Sequence, residues 1–184
     1  MNKTLWIVLG VVVLVGGYFM TTYNGLISGS ELVDNQWKQV EVQYQRRLDL
    51  IPNLVESVKG IMKQETAVIG AVTDARTRYM NSATTGEKVE AANQLESAVV
   101  KFMAIAENYP QLRSVETVLS LQAELAGTEN RVSVERMRYN NQVTSYNLVT
   151  KRFPSNMIAS MFGFEKAVYF NADEGAEKAP EVKL

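Results

Sequence analysis

The sequence predicts an all-α protein: an N-terminal transmembrane helix followed by an antiparallel bundle of long, proline-kinked helices, with two long arms that make three to four helices. Three observations predict it. Residues 4–30 carry no charge and contain a long apolar run. Beyond residue 30, apolar residues recur at three-to-four spacing over long stretches, as in amphipathic helices. The 184 residues hold four prolines, few enough to leave room for very long helices.

The apolar run covers residues 5–23, with Trp6 near one end and Tyr18, Phe19 and Tyr23 near the other. A spanning helix needs about 20 residues, so the 19 of this run suffice with little tilt. Aromatic residues at both ends suit the two bilayer interfaces. A cleaved signal peptide is the alternative, but Thr21-Thr22-Tyr23-Asn24 is a poor cleavage site. Residues 1–4 then form a short flank and residues 24–30 a juxtamembrane segment. Gly25 and Gly29, four apart, read better as a helix weakened just outside the bilayer than as a dimer motif. Lys3 and the terminal amine lie on one side of the span, and Lys38 is the nearest basic residue on the other. That count leans towards a cytoplasmic amino terminus and a helical domain on the extracytoplasmic side.

Residues 31–153 form the predicted helical bundle. Ser30 is a plausible N-cap, with Glu31 and Asp34 in a first turn that favours negative charge. Val33, Trp37, Val40, Tyr44 and Leu48 form one stripe; Leu54, Val58, Ile61, Glu65, Val68, Val72, Ala75 and Tyr79 continue it in near-strict heptads. Pro52 lies between the two runs. A proline inside a helix removes a donor and clashes with the carbonyl four residues earlier, so a kink or break near Leu50 is expected, with Asp49 available as a cap. Residues 81–87, small and polar with one glycine, are the best turn in the chain. A third helix from about Glu87 carries Val89, Ala92, Leu95, Val99, Phe102, Ala106 and Tyr109 in coiled-coil-like heptads. Pro110 interrupts it. A fourth helix runs from about residue 111 to 152, until Phe153-Pro154 ends it. Counted outward from the turn, Pro52 and Pro110 fall within about 9 Å of each other in height, which points to a shared kink level or corner.

Polar residues interrupt the apolar stripe of the fourth helix: Gln122, Glu129 and Arg136 share it with Leu125 and Val132. The same count through the turn places Arg46 and Arg47 near the level of residues 122–129. A buried charge is costly unless paired, so an Arg–Glu pair inside the bundle is expected. Arg46, Arg47, Asp49, Pro52, Asn53, Pro110, Gln122, Glu129 and Arg136 form the candidate kink and buried polar network. Residues 154–170 are rich in methionine and aromatics. The return arm is long enough to reach the membrane, which would place Met157, Met161, Phe162, Phe164, Tyr169 and Phe170 at the headgroups, against a second copy, or over their own core. Residues 171–184 read as a disordered, charged tail.

Composition excludes several functions. Nineteen basic residues against 20 acidic ones make no nucleic-acid-binding field. There is no cysteine and no histidine, which removes thiolate chemistry, the usual general base and the commonest metal ligand. No calcium-loop spacing or phosphate-binding glycine loop is present. No catalytic residue, cofactor or metal is expected.

The motifs carry a resemblance. Residues 23–26 (Tyr-Asn-Gly-Leu), Arg46-Arg47-x-Asp49-Leu50-Ile51-Pro52-Asn53-Leu54-Val55, Tyr109-Pro110, Leu121-Gln122, Thr128-Glu129, Tyr139-Asn140, Tyr146-Asn147, Phe153-Pro154 and Phe162-Gly163-Phe164 resemble the LemA family over nearly the whole chain. The resemblance implies a bacterial single-span membrane protein with an all-helical domain and no established enzymatic activity. It also implies a short amino terminus outside the cell, which opposes the charge count. The family often has a His-Glu pair where this chain has Gln64-Glu65, so a role built on that histidine does not transfer.

Two function classes remain in front. One is a scaffold or adaptor held at the lipid bilayer of the cytoplasmic (inner) membrane, a homo-oligomer acting through its helical surface. The other is an accessory or regulatory subunit of a membrane protease or of an envelope stress or signalling system, with the chemistry in a membrane-protein partner. A hydrolase using Arg46, Arg47 and Asp49 is a third class, but those residues flank the proline and read as structural.

Overall fold

The computed structural model of the chain describes residues 3–170. Among the described residues the fold is all-α: α1 (Lys3–Lys59), α2 (Thr66–Asn81), α3 (Thr85–Ala106), a 3-10 turn (Pro110–Ser114), α4 (Glu116–Lys151) and α5 (Ser155–Phe162). The expected charged tail, residues 171–184, and the first two residues of the amino-terminal flank lie outside the described residues. The helices build two units, one from residues 3–39 and Met137–Tyr169, the other from Val40–Arg136 and Phe170.

In the first unit the apolar start of α1 is fully exposed, and the helix is long and apolar enough to cross a membrane. Farther along, Leu26, Val33 and Trp37 are buried with Tyr139, Val143 and Tyr146 of α4. The Trp37 and Tyr139 rings meet edge to face at 5.4 Å. Gly29 sits where a Cβ would lie 3.1 Å from Cδ2 of Tyr146, so this glycine allows a close approach between helices. No helix begins at Ser30 and no break separates residues 24–30 from the span, contrary to the sequence expectation. Glycine in a helix costs up to about 1 kcal/mol, and burial of neighbouring side chains against α4 offsets it.

In the second unit α2 and α3 form an antiparallel hairpin at the expected turn. Thr84 caps α3: its hydroxyl accepts from the Glu87 N–H at 3.2 Å, and Glu87 Oε2 accepts from the Thr84 N–H at 3.1 Å. The core combines Tyr44, Leu48, Ile51, Leu54 and Val58 of α1 with Val72 and Tyr79 of α2, Leu95, Val99 and Phe102 of α3, and Val118, Leu125 and Val132 of α4.

Of the kink or break expected near Leu50, the break does not occur; α1 runs through Pro52 to Lys59. Proline at 52 leaves the Leu48 carbonyl without its helical donor. Arg76 of α2 supplies one, its Nε donating to Leu48 O at 3.0 Å. The chain breaks instead after Lys59, so residues 54–79 are not one continuous helix. The corner opposite Pro110 is therefore the α1–α2 connection rather than Pro52. Tyr109, just before the 3-10 turn, donates from its hydroxyl to Glu65 at 2.9 Å and ties the two connections together.

Candidate functional site

Within the second unit, two arginines and two carboxylates meet in the bundle interior. Arg47 is 1% exposed. Its Nη2 donates to Glu129 Oε2 at 2.8 Å, and its Nη1 lies 3.7 Å from Glu96 Oε1. Arg136 Nη1 pairs with Glu96 Oε2 at 2.8 Å. Arg136 Nη2 donates to Asn93 Oδ1 at 3.0 Å and also to the Tyr44 hydroxyl. That hydroxyl in turn donates to Glu96 Oε1 at 2.9 Å. The Arg136 guanidinium also lies 4.6 Å from the centre of the Phe170 ring, a cation–π contact.

Charge balance holds this cluster in place, two cations against two anions. Burial raises the Glu96 carboxyl above the usual carboxylate range, outweighing Arg136, the Tyr44 hydrogen bond and Arg47, which lower it. Burial, with Glu96 beside it, pushes the Tyr44 hydroxyl far above its ordinary value, so it remains a proton donor. The Tyr44 ring stacks on Tyr79 at 5.1 Å. Each charged group is taken up by another of the set, an arrangement that positions helices.

The other sequence candidates stand apart. Arg46, Asp49, Pro52, Asn53 and Pro110 are exposed, and Gln122 is half-buried. Asp49 accepts a hydrogen bond from Gln45 at 2.8 Å, where a helix cap was expected. Arg46 and Asp49 line a shallow groove of about 340 Å³ with Glu124 and Arg131. Of the expected network, Arg47, Glu129 and Arg136 come together. Sequence reasoning missed Glu96 and Asn93, and treated Tyr44 as apolar stripe alone. The available signal was Glu96 beside Leu95 and three residues before Val99, a charge on the edge of the apolar stripe. Among the described residues no group of three or more acidic side chains is placed to hold a metal ion.

The carboxy-terminal segment belongs to the first unit up to Tyr169. Phe162 packs on Phe19 and Tyr23 of α1 with ring centres 5.7 and 4.8 Å apart, and Phe164 lies 5.9 Å from Tyr23. Gly163, at φ 72°, closes α5 in a left-handed conformation. Residues 163–169 then return along α4. Asn147 brackets Ala167, donating to its carbonyl and accepting from its N–H, both at 2.9 Å. The Tyr139 hydroxyl donates to Val168 O at 2.9 Å. Trp6, Tyr18, Met157, Met161 and Tyr169 are exposed. Phe170, grouped with them by sequence for membrane or oligomer contact or cover of their own core, takes the last of these: it is 4% exposed and lies under Arg136.

An exposed apolar span joined to an all-α domain with an interior ion cluster defines a membrane-associated helical protein. Residues 36–184 match the LemA family, and the chain belongs to it. Magnetosome protein MamQ 2 of Paramagnetospirillum magneticum is 27% identical over 89% of this chain and 69% of its own length. Magnetosome protein MamQ of Magnetospirillum gryphiswaldense is 24% identical over 83% of this chain and 67% of its own. Protein LemA of Metamycoplasma hominis is 22% identical over 88% of this chain and 76% of its own.

Proposed function

We propose that this protein is a scaffold or adaptor of the bacterial envelope, held in the cytoplasmic membrane by residues 5–23 and without catalysis of its own. The observation that carries the reading is the interior cluster. Arg47 pairs with Glu129, and Arg136 and Tyr44 both engage Glu96, while Leu32, Val42, Val100, Leu119 and Met137 stand exposed on the long helices. Surface apolar residues of this kind suit association with other helices, including a second copy of the chain. The helical domain stands on the extracytoplasmic side in this proposal.

Crosslinking in native membranes, followed by mass spectrometry, tests it. Products made of this chain alone support the homo-oligomeric scaffold. A stoichiometric peptidase or sensor protein supports the accessory-subunit reading instead. The domain's side is read separately with a membrane-impermeant thiol reagent on Met80→Cys, a position exposed in α2. Labelling in intact cells is expected, and labelling only after lysis would place the domain inside.

A further inference from the structure

α5 packs on the wrong part of α1 for a soluble helix. With Pro154, it frames an open groove of about 480 Å³ whose other wall is Leu14, Val15, Tyr18 and Phe19 of α1. Those residues belong to the span. Leu14 lies nine residues before Tyr23, roughly 13 Å deeper at 1.5 Å per residue, and the hydrocarbon core is about 30 Å thick. The groove therefore reaches from the interface towards the middle of the bilayer. Exposed apolar side chains continue outside the groove: Phe153, just before α5, is 80% exposed, and Met157 and Met161 on α5 are 61% and 70% exposed, beside the exposed Asn156 and Ser160.

Several backbone groups at the two ends of α5 are bonded within the chain, which lowers the cost of placing them in hydrocarbon. At the start, the Ser155 hydroxyl lies 2.6 Å from the Val149 carbonyl and 2.8 Å from the Arg152 carbonyl, and the Asn156 N–H donates to Arg152 O at 2.7 Å. At the end, the Phe164 N–H donates to Ala159 O at 2.9 Å across Gly163. Lys151 and Arg152, both exposed, immediately precede Phe153, where long basic side chains reach headgroup phosphates.

We propose that Phe153 and α5 are sunk in the leaflet adjoining the helical domain, a second membrane attachment whose groove against residues 14–19 is filled by lipid hydrocarbon. This rests on the span reading of residues 5–23 and not on the scaffold reading, because it concerns the protein alone in lipid. The chain has no native cysteine, so single nitroxides can be placed on the full-length protein. Met157→Cys and Met161→Cys are labelled after reconstitution in phosphatidylethanolamine–phosphatidylglycerol vesicles. Val12→Cys serves as the embedded reference and Met80→Cys as the aqueous one. The expected result at both α5 positions is collision with oxygen exceeding collision with a water-soluble nickel chelate, as at Val12. Nickel access matching Met80 overturns the proposal, and if Val12 also admits nickel the span reading falls with it. Shielding from both reagents also overturns it, because protein rather than lipid then covers the face.

Discussion

Removing one partner of the Arg47–Glu129 pair should have very different effects depending on which partner goes. Arg47 is 1% exposed, whereas the Glu129 side chain is 49% exposed. Replacing Glu129 by Ala leaves a buried guanidinium whose remaining carboxylate, on Glu96, is 3.7 Å away and already engaged by Arg136 and Tyr44. A buried charge stripped of its partner costs about 3 kcal/mol. Replacing Arg47 by Met keeps the volume, removes the buried charge, and frees a glutamate that water can solvate. It also removes a buried Nε that makes no hydrogen bond. The net change should lie within about 1 kcal/mol of zero. At about 2–4 °C per kcal/mol for a chain of this size, Glu129→Ala should lower the melting midpoint by about 6–12 °C and Arg47→Met by far less. Circular dichroism melts of the full-length protein in detergent would decide. Equal losses, or a larger loss for Arg47→Met, would refute the argument that the arginine is the trapped charge.

Arg76→Met should cost about 1 kcal/mol by stripping the Leu48 carbonyl of its donor; in a Pro52→Ala background, where the helix supplies its own N–H, the cost should shrink, and a double-mutant cycle of denaturant midpoints measures the coupling. Burial, helped by the Asp34 charge, pushes the Tyr139 hydroxyl up to about 12. The unfolded chain therefore releases that proton first, near pH 10, and this contribution to stability is lost as the pH rises from 10 to 12. Absorbance titration should show one late-ionising tyrosine fewer in Tyr139→Phe. Asn147→Ala should speed hydrogen exchange at the Ala167 amide and leave the melting midpoint nearly unchanged, since it frees only the segment after α5; unchanged exchange would mean that Asn147 does not hold it.

The parts legible in sequence were those fixed by local chemistry. The span follows from a long run of uncharged, mostly apolar residues, and the α2–α3 turn from the small polar residues and glycine of 81–87; the Thr84–Glu87 capping box that closes it emerges only in the structure. Arg47 and Glu129 were placed at one level by counting through that turn. The misreadings have tertiary causes. Pro52 signals a break only if the Leu48 carbonyl stays unpartnered, and the donor comes from Arg76, 28 residues away. Gly29 reads as weakness until Tyr146 is seen packed on it. Glu96 lies next to a stripe position, so periodicity alone does not distinguish it from a solvated flank. Phe170 looks like its exposed apolar neighbours in the sequence, and the return along α4 carries it to Arg136.

In the proposed scaffold, the interior cluster serves the fold and activity resides in the anchor and the exposed helical surface. Quantitative crosslinking in native membranes, comparing the wild type with Arg47→Met/Glu129→Leu, tests this most directly once melts and membrane extraction show the variant folded and inserted. The same crosslinked products in the same amounts are predicted. A folded, inserted variant that loses a product would contradict the claim and make the cluster part of the working site.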